Sequence, residues 1–160
     1  MTIIAKVSAT AISLLSATTA WAADYKVKRS LELQSSPTRA WHTIGDFCDI
    51  DDWHPKVSGC SLKVMDGSLV RVLTLEGGDE VTQKRIAQEA GLSYTYKTVR
   101  SSSPVENHTA TLSVEPLGKP LIEWSANFSS DDPAMEQVIV DEIEAGLAAI
   151  DLLLAASGSR

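Results

Sequence analysis

Tyr25, Val27, Leu31 and Leu33 alternate with Lys26, Lys28, Ser30 and Glu32, a period of two that predicts a half-buried strand over 25–33. Ser35-Ser36-Pro37 then predicts a helix start, with Ser36 as cap and Pro37 in the first helical position. Ala40, Trp41 and Ile44 supply that helix's apolar face, and Gly45 ends it. From Cys60 onward strands are expected over 61–65, 69–75, 80–89, 92–100, 106–115 and 121–129. Asp66-Gly67, Glu76-Gly77-Gly78-Asp79, Ala90-Gly91, Ser101-Ser102-Ser103-Pro104 and Pro116-Leu117-Gly118-Lys119-Pro120 separate them. Strands joined so closely form an antiparallel meander. The spacing then changes to three and four at Val138, Ile139, Ile143, Leu147, Ile150 and Leu154, with Glu136, Asp141, Glu142 and Glu144 on other faces. This predicts a long helix capped by Asp131-Asp132-Pro133 and running to about Ala156. The fold class is therefore α+β: a curved antiparallel sheet of about six to seven strands, short helices after the first strand, and a C-terminal helix laid on the sheet.

Alternation also assigns the covered face. Leu69, Arg71, Leu73 and Leu75 share it, as do Leu92, Tyr94, Tyr96 and Thr98. His108, Ala110, Leu112 and Val114 form a third row, and Ile122, Trp124, Ala126 and Phe128 a fourth. Over 80–89 the alternation is ambiguous and leaves Gln83 and Arg85 without an orientation. A face that is apolar apart from an Arg, two Tyr, a His and a Trp suits a small-molecule pocket with a few polar anchors. A plain core with amphipathic residues at its rim accounts for the same pattern nearly as well. An unpaired buried guanidinium at Arg71 requires a carboxylate or an anionic ligand; an internal ion pair or a side chain reaching the sheet edge is the simpler reading.

The first 22 residues change the picture of where the domain begins. One early charge, Lys6, precedes a short Ser/Thr-interrupted apolar run over 7–17, and Ala20-Trp21-Ala22 fits the small-x-small rule for signal cleavage. This reads as a secretory signal over 1–22, the rival being an uncleaved anchor. Maturation at Ala23 leaves 160 − 22 = 138 residues, one domain over 23–160. It also removes Lys6, so 13 Lys+Arg stand against 21 Asp+Glu, a net charge of −8. An acidic chain without a basic stripe repels phosphate backbones, which excludes nucleic acid as a natural partner. No second apolar run is long enough to span a bilayer. Periplasmic or secreted localisation follows.

Export bears on the two cysteines, Cys48 and Cys60. A disulfide is the favoured reading, stabilising the fold by about 2–3 kcal/mol. A zinc site using His54 or two buried thiols are the alternatives, and no paired C-x-x-C or H-x-x-x-H spacing supports the metal. Cys48 lies in Asp46-Phe47-Cys48-Asp49-Ile50-Asp51-Asp52-Trp53-His54-Pro55, whose acids lack the spacing, central Gly and terminal Glu of a calcium loop. They read as caps and solvated turn residues. His54, before Pro55 in a turn, is a weak catalytic candidate and equally a residue that fixes the turn by a hydrogen bond. Tyr94 is a second weak candidate. Asn107-His108-Thr109 and Asn127-Phe128-Ser129 match the glycosylation sequon, which matters only in a eukaryotic host.

Trp41 to Phe47, Trp53-His54-Pro55-Lys56-Val57 and Cys60 resemble the "W-x-x-x-x-x-F … W-H-P-x-V … C" signature of the SRPBCC superfamily, nearest its polyketide cyclase/dehydrase-type group and the exported MxaD-like proteins. Gly67 to Arg71 is similar to its "G-x-x-x-R" strand, and Glu76-Gly77-Gly78 to its hairpin. Leu92 to Tyr96 resembles "x-S-Y-x-Y", Pro104 to Asn107 resembles "P-V-x-N", and Glu123-Trp124 its penultimate strand. The resemblance spans about residues 25 to 155. It implies a helix-grip (START-like) fold closing over a cavity, and binding of a hydrophobic or aromatic small molecule, with aromatases and cyclases among the family's enzymatic members. His108 stands where relatives commonly carry an aromatic residue.

Three functional readings follow. The first is an exported carrier that binds a hydrophobic small molecule without turnover, through Trp53, His54, Arg71, Tyr94, Tyr96, His108, Trp124 and Phe128. The second is a cyclase or aromatase-type enzyme using Arg71, the tyrosines and His54. The third, which the MxaD-like resemblance suggests, is an accessory protein whose acidic surface docks a periplasmic redox enzyme. Metal ions and cofactors enter none of them.

Overall fold

A computed structural model describes residues 22–158; positions 1–21 of the expected signal segment lie outside them. Strand β1 (Ala23–Glu32) is followed by helices α1 (Pro37–Ile44) and α2 (Ile50–Trp53). Six strands come next: β2 (Val57–Met65), β3 (Ser68–Leu75), β4 (Glu80–Glu89), β5 (Ser93–Arg100), β6 (Glu106–Glu115) and β7 (Leu121–Ser130). Helix α3 (Ala134–Gly158) is the last element among the described residues. All seven strands form one antiparallel sheet in the order β1-β7-β6-β5-β4-β3-β2, a meander whose last strand pairs with the first. The expected α+β helix-grip architecture is therefore the one observed.

Local chemistry explains the punctuation. Ser36 Oγ accepts a hydrogen bond from Arg39 N–H at 3.3 Å, capping α1, with Pro37 in its first turn. The β2–β3 hairpin turns on Asp66 and Gly67, with φ of 49° and 71°; two consecutive positive values need the Asp-Gly pair found there. Asp132 opens α3 by accepting from Ala134 N–H at 2.9 Å. Strand β2 begins at Val57, four residues earlier than its alternation predicts, because Ser58 and Gly59 carry no apolar signal.

Helix α3 lies across the sheet, packing on β1, β7 and both short helices. Ile139, Ile143, Leu147, Ile150 and Leu154 are buried against Leu112, Ile122, Trp124, Ala126 and neighbouring residues of the sheet. Val138, expected in the stripe, is instead 38% exposed, and Met135 takes the inward position one turn earlier. Cys48 and Cys60 are joined in a disulfide with Cα atoms 5.6 Å apart, tying the α1–α2 segment to β2. Both sulfurs are thereby consumed, so neither serves a zinc site. No helix among the described residues is long and apolar enough to cross a membrane.

Candidate functional site

The sheet curves away from α3 at one end and leaves a cavity of about 390 Å³, within the range of small-molecule sites. Its walls come from the sheet (Leu73, Leu75, Val81, Tyr96, Ala110, Trp124, Ala126), from α3 (Met135, Ile139, Ile143) and from the α2 elbow (Ile50, His54, Val57). Lys56, Glu76, Asp79, Glu142 and Ser101, Ser102 and Ser103 also line it. They bring the β3–β4 hairpin, the β5–β6 loop and the elbow together at one end. The cavity is thus apolar along its walls and carries charge where these loops meet.

Of the eight residues singled out in the sequence, His54, Tyr96, His108 and Trp124 line the cavity. Trp53, Arg71, Tyr94 and Phe128 are buried but do not reach it. The three aromatic residues among them make ring contacts behind the wall. Tyr94 lies edge-on to Phe47 with centroids 5.3 Å apart, Trp53 meets Trp124 edge-on at 5.8 Å, and Phe128 stacks on Tyr25 at 5.2 Å. Burial raises the Tyr94 phenol above its ordinary range, partly opposed by Arg71. Sealed from the cavity and held as a neutral phenol, Tyr94 is not placed to exchange protons with a ligand.

His54 follows α2 and is 7% exposed. The backbone N–H of Lys56 donates to its Nδ1 at 3.2 Å, and its Nε2 lies 3.1 Å from the Glu142 carbonyl. A backbone amide only donates and a carbonyl only accepts, so the ring is neutral with its proton on Nε2. Burial lowers its pKa, with the nearby charges of Lys56 and Arg71 acting in the same direction and the Glu142 hydrogen bond opposing. Both nitrogens are occupied, and the ring joins the elbow to α3. Gly146 makes that approach possible: a Cβ there would fall 2.6 Å from Trp124 Cζ3 and 2.9 Å from His54 Cδ2.

His108 faces inward in the same row as Ala110 and Leu112, beside a backbone irregularity. Asn107 has φ of 53°, a conformation Asn tolerates better than most residues, where the β6–β7 register shifts between Glu106 and Thr109. The imidazole Nδ1 shares a hydrogen bond with Thr98 Oγ1 at 2.9 Å, and burial lowers its pKa to about 4. Tyr96 is pushed up to about 12, chiefly by burial, and its hydroxyl accepts from Trp124 Nε1 at 3.2 Å. Both groups are neutral at physiological pH. Glu142, on α3 at the charged end, lies 3.9 Å from Lys56 Nζ and has its pKa raised by burial.

Arg71 is fully buried and sits at the back of the wall. Its Nε donates to Gln83 Oε1 at 2.8 Å and its Nη1 to the Phe47 carbonyl at 2.6 Å. The guanidinium carbon stands 4.3 Å from the Phe47 ring centroid and 4.8 Å from that of Tyr96. The internal ion pair expected from the sequence is not formed: among the described residues no carboxylate lies within 4.0 Å, and Nη2 has no partner. Neutral oxygens and aromatic faces compensate the charge instead. Gln83 and Glu142 are lining residues the sequence reading missed. Register shifts in β4, between Thr82 and Gln83 and between Arg85 and Ala87, erase the period of two that would have oriented Gln83. Glu142 could have been found from its place beside Ile143 and one turn from Ile139.

A seven-stranded sheet gripping one long helix over an apolar cavity defines a helix-grip protein of the SRPBCC class. The family of polyketide cyclase / dehydrase and lipid transport proteins matches residues 24–154, and the chain belongs to it. A search of curated proteins finds no match. Among solved structures, XoxI from Bacillus cereus is 25% identical with a TM-score of 0.75, covering 84% of this chain and 99% of that one. The ZhuI aromatase/cyclase from Streptomyces sp. R1128 is 13% identical with a TM-score of 0.67, covering 86% of this chain and 96% of its own. Norcoclaurine synthase from Thalictrum flavum, solved with dopamine and hydroxybenzaldehyde, is 17% identical with a TM-score of 0.63, covering 87% and 91%. These last two likenesses are of fold.

Proposed function

We propose that this protein is an exported binding protein that holds a hydrophobic or aromatic small molecule between sheet and helix without turning it over. The observation that carries the reading is the cavity of about 390 Å³, whose sheet and helix walls are mainly aliphatic and aromatic and whose charged side chains gather where the loops meet. The hydrogen bonding of its side chains favours binding over turnover. His54 has both nitrogens engaged, His108 is a neutral ring bonded to Thr98, and Tyr96 stays protonated far above physiological pH. Glu142 lines the cavity from α3 with its carboxylate 3.9 Å from Lys56 Nζ. No pair of these groups forms the base–nucleophile arrangement that acid–base catalysis needs. The Cys48–Cys60 disulfide supports export, since such bonds persist in oxidising compartments.

Native mass spectrometry of the protein purified from its own host tests this reading. The expected result is a bound small-molecule mass that is absent from Ala126→Phe, a substitution that fills the cavity. A bare protein mass under gentle conditions contradicts it.

A further inference from the structure

We infer that Gln83 is the polar anchor of the cavity: held in place by Arg71, it offers its amide N–H to the ligand and selects an aromatic molecule bearing a carbonyl or carboxylate oxygen. This rests on the ligand-binding reading above and specifies its chemistry. Arginine has donors and no acceptor, so the Gln83 atom 2.8 Å from Arg71 Nε is the amide oxygen. The amide orientation is thereby settled, and the NH2 group is the free end of a residue that lines the cavity and is 8% exposed. Among the described residues no protein acceptor takes its hydrogens.

A second donor stands beside it. Gln83 pairs with Thr98 across β4 and β5, and Tyr96 lies two residues further along the same face. The Tyr96 oxygen already accepts from Trp124 Nε1, which leaves its own proton to be given. Behind both stands the Arg71 charge, with no carboxylate within 4.0 Å among the described residues. This part of the wall therefore seeks an acceptor, while the Tyr96 and Trp124 rings suit a flat body. A ligand without an acceptor would desolvate the Gln83 amide and give nothing back. Arg71 is a positioning residue here: it fixes which end of Gln83 the ligand meets.

The test is calorimetric titration with 2-acetylnaphthalene, 2-naphthoate and 2-ethylnaphthalene, which share a body and differ in the acceptor. The wild type is expected to prefer one or both of the first two over the third by about tenfold or more, and the ratio of those two identifies the oxygen as carbonyl or carboxylate. Gln83→Met should retain 2-ethylnaphthalene binding and lose the preference. Gln83→Glu, which can pair with Arg71 and offers no donor at neutral pH, should lose 2-naphthoate most. In the wild type, with no substitution to disturb folding, the Gln83 side-chain amide resonances should move with the preferred ligand and stay still with 2-ethylnaphthalene. Equal affinity for all three, a preference that survives Gln83→Met, or unmoved Gln83 resonances overturns the assignment while leaving the cavity reading intact. Failure of all three to bind overturns both.

Discussion

The imidazole Nε2 of His54 donates to the backbone carbonyl of Glu142 at 3.1 Å, so a side chain of the elbow is bonded directly to the main chain of α3. This bond closes the wall between two elements far apart in sequence. It requires a bare Cα at Gly146, one turn beyond Glu142, where a Cβ would fall 2.9 Å from His54 Cδ2 and 2.6 Å from Trp124 Cζ3.

Gly146→Ala is therefore expected to destabilise the protein by about 1–3 kcal/mol, through the strain of overpacking a filled position. The sign is informative. In an exposed helix interior the same change stabilises by about 0.5–1 kcal/mol. Urea denaturation of the two proteins decides between them, and a stabilised Gly146→Ala would show that His54 and Trp124 do not press on this turn.

Stability should fall on acidification partly because of His108. Its folded pKa of about 4 lies below the ordinary value of 6.5. The unfolded chain thus takes up a proton first, and stability present above pH 6.5 is lost as the pH drops toward 4. The size is at most about 3 kcal/mol. Asp49 and Glu142, whose pKa values are raised, act in the opposite direction. The difference between wild type and His108→Phe isolates the histidine: the variant should lose less stability between pH 7 and pH 4.5, as read by urea melts. Parallel losses in both proteins would contradict this.

Arg71→Lys tests how the buried charge is held. Lysine keeps the charge but cannot meet Gln83 Oε1 and the Phe47 carbonyl in one planar fork, nor spread over the Phe47 ring. A loss of about 1–3 kcal/mol is expected, measured by thermal or urea unfolding. No change would mean that the guanidinium geometry is incidental.

Breaking the Cys48–Cys60 bond as Cys48→Ser with Cys60→Ser should cost about 2–3 kcal/mol, the scale for a loop this short. The elbow should also become the first region to exchange its amide hydrogens. An unchanged exchange pattern at residues 46–56 would show that the elbow is held by its packing alone.

Much of the fold was legible because its signals are local. The rows ending at Leu75, Thr98, Val114 and Phe128 face inward as alternation predicted, and Ser36 and Asp132 cap the helices they precede. The site was legible only in part, since periodicity reports the face of a residue and not its depth. Tyr94 and Tyr96 share a face and are equally buried, yet only Tyr96 reaches the cavity. Arg71 was placed on the right face, but its oxygen partners come from β4 and from the Phe47 backbone, which no sequence period connects. Gln83 was hidden by the irregular register of β4. The charged end, where Asp79 and Glu76 approach Lys56 and Ser102, exists only once two hairpins and the elbow have been folded together.

The most direct test of the account is a methyl-resolved NMR titration of the protein with 2-acetylnaphthalene. The cavity reading predicts shifts and intermolecular contacts at the methyl groups of Ala110, Ala126, Ile139 and Ile143, which line the space between sheet and helix. Perturbations confined to exposed Leu62, Val64 and Leu152 would contradict it, because they would place the ligand on the surface.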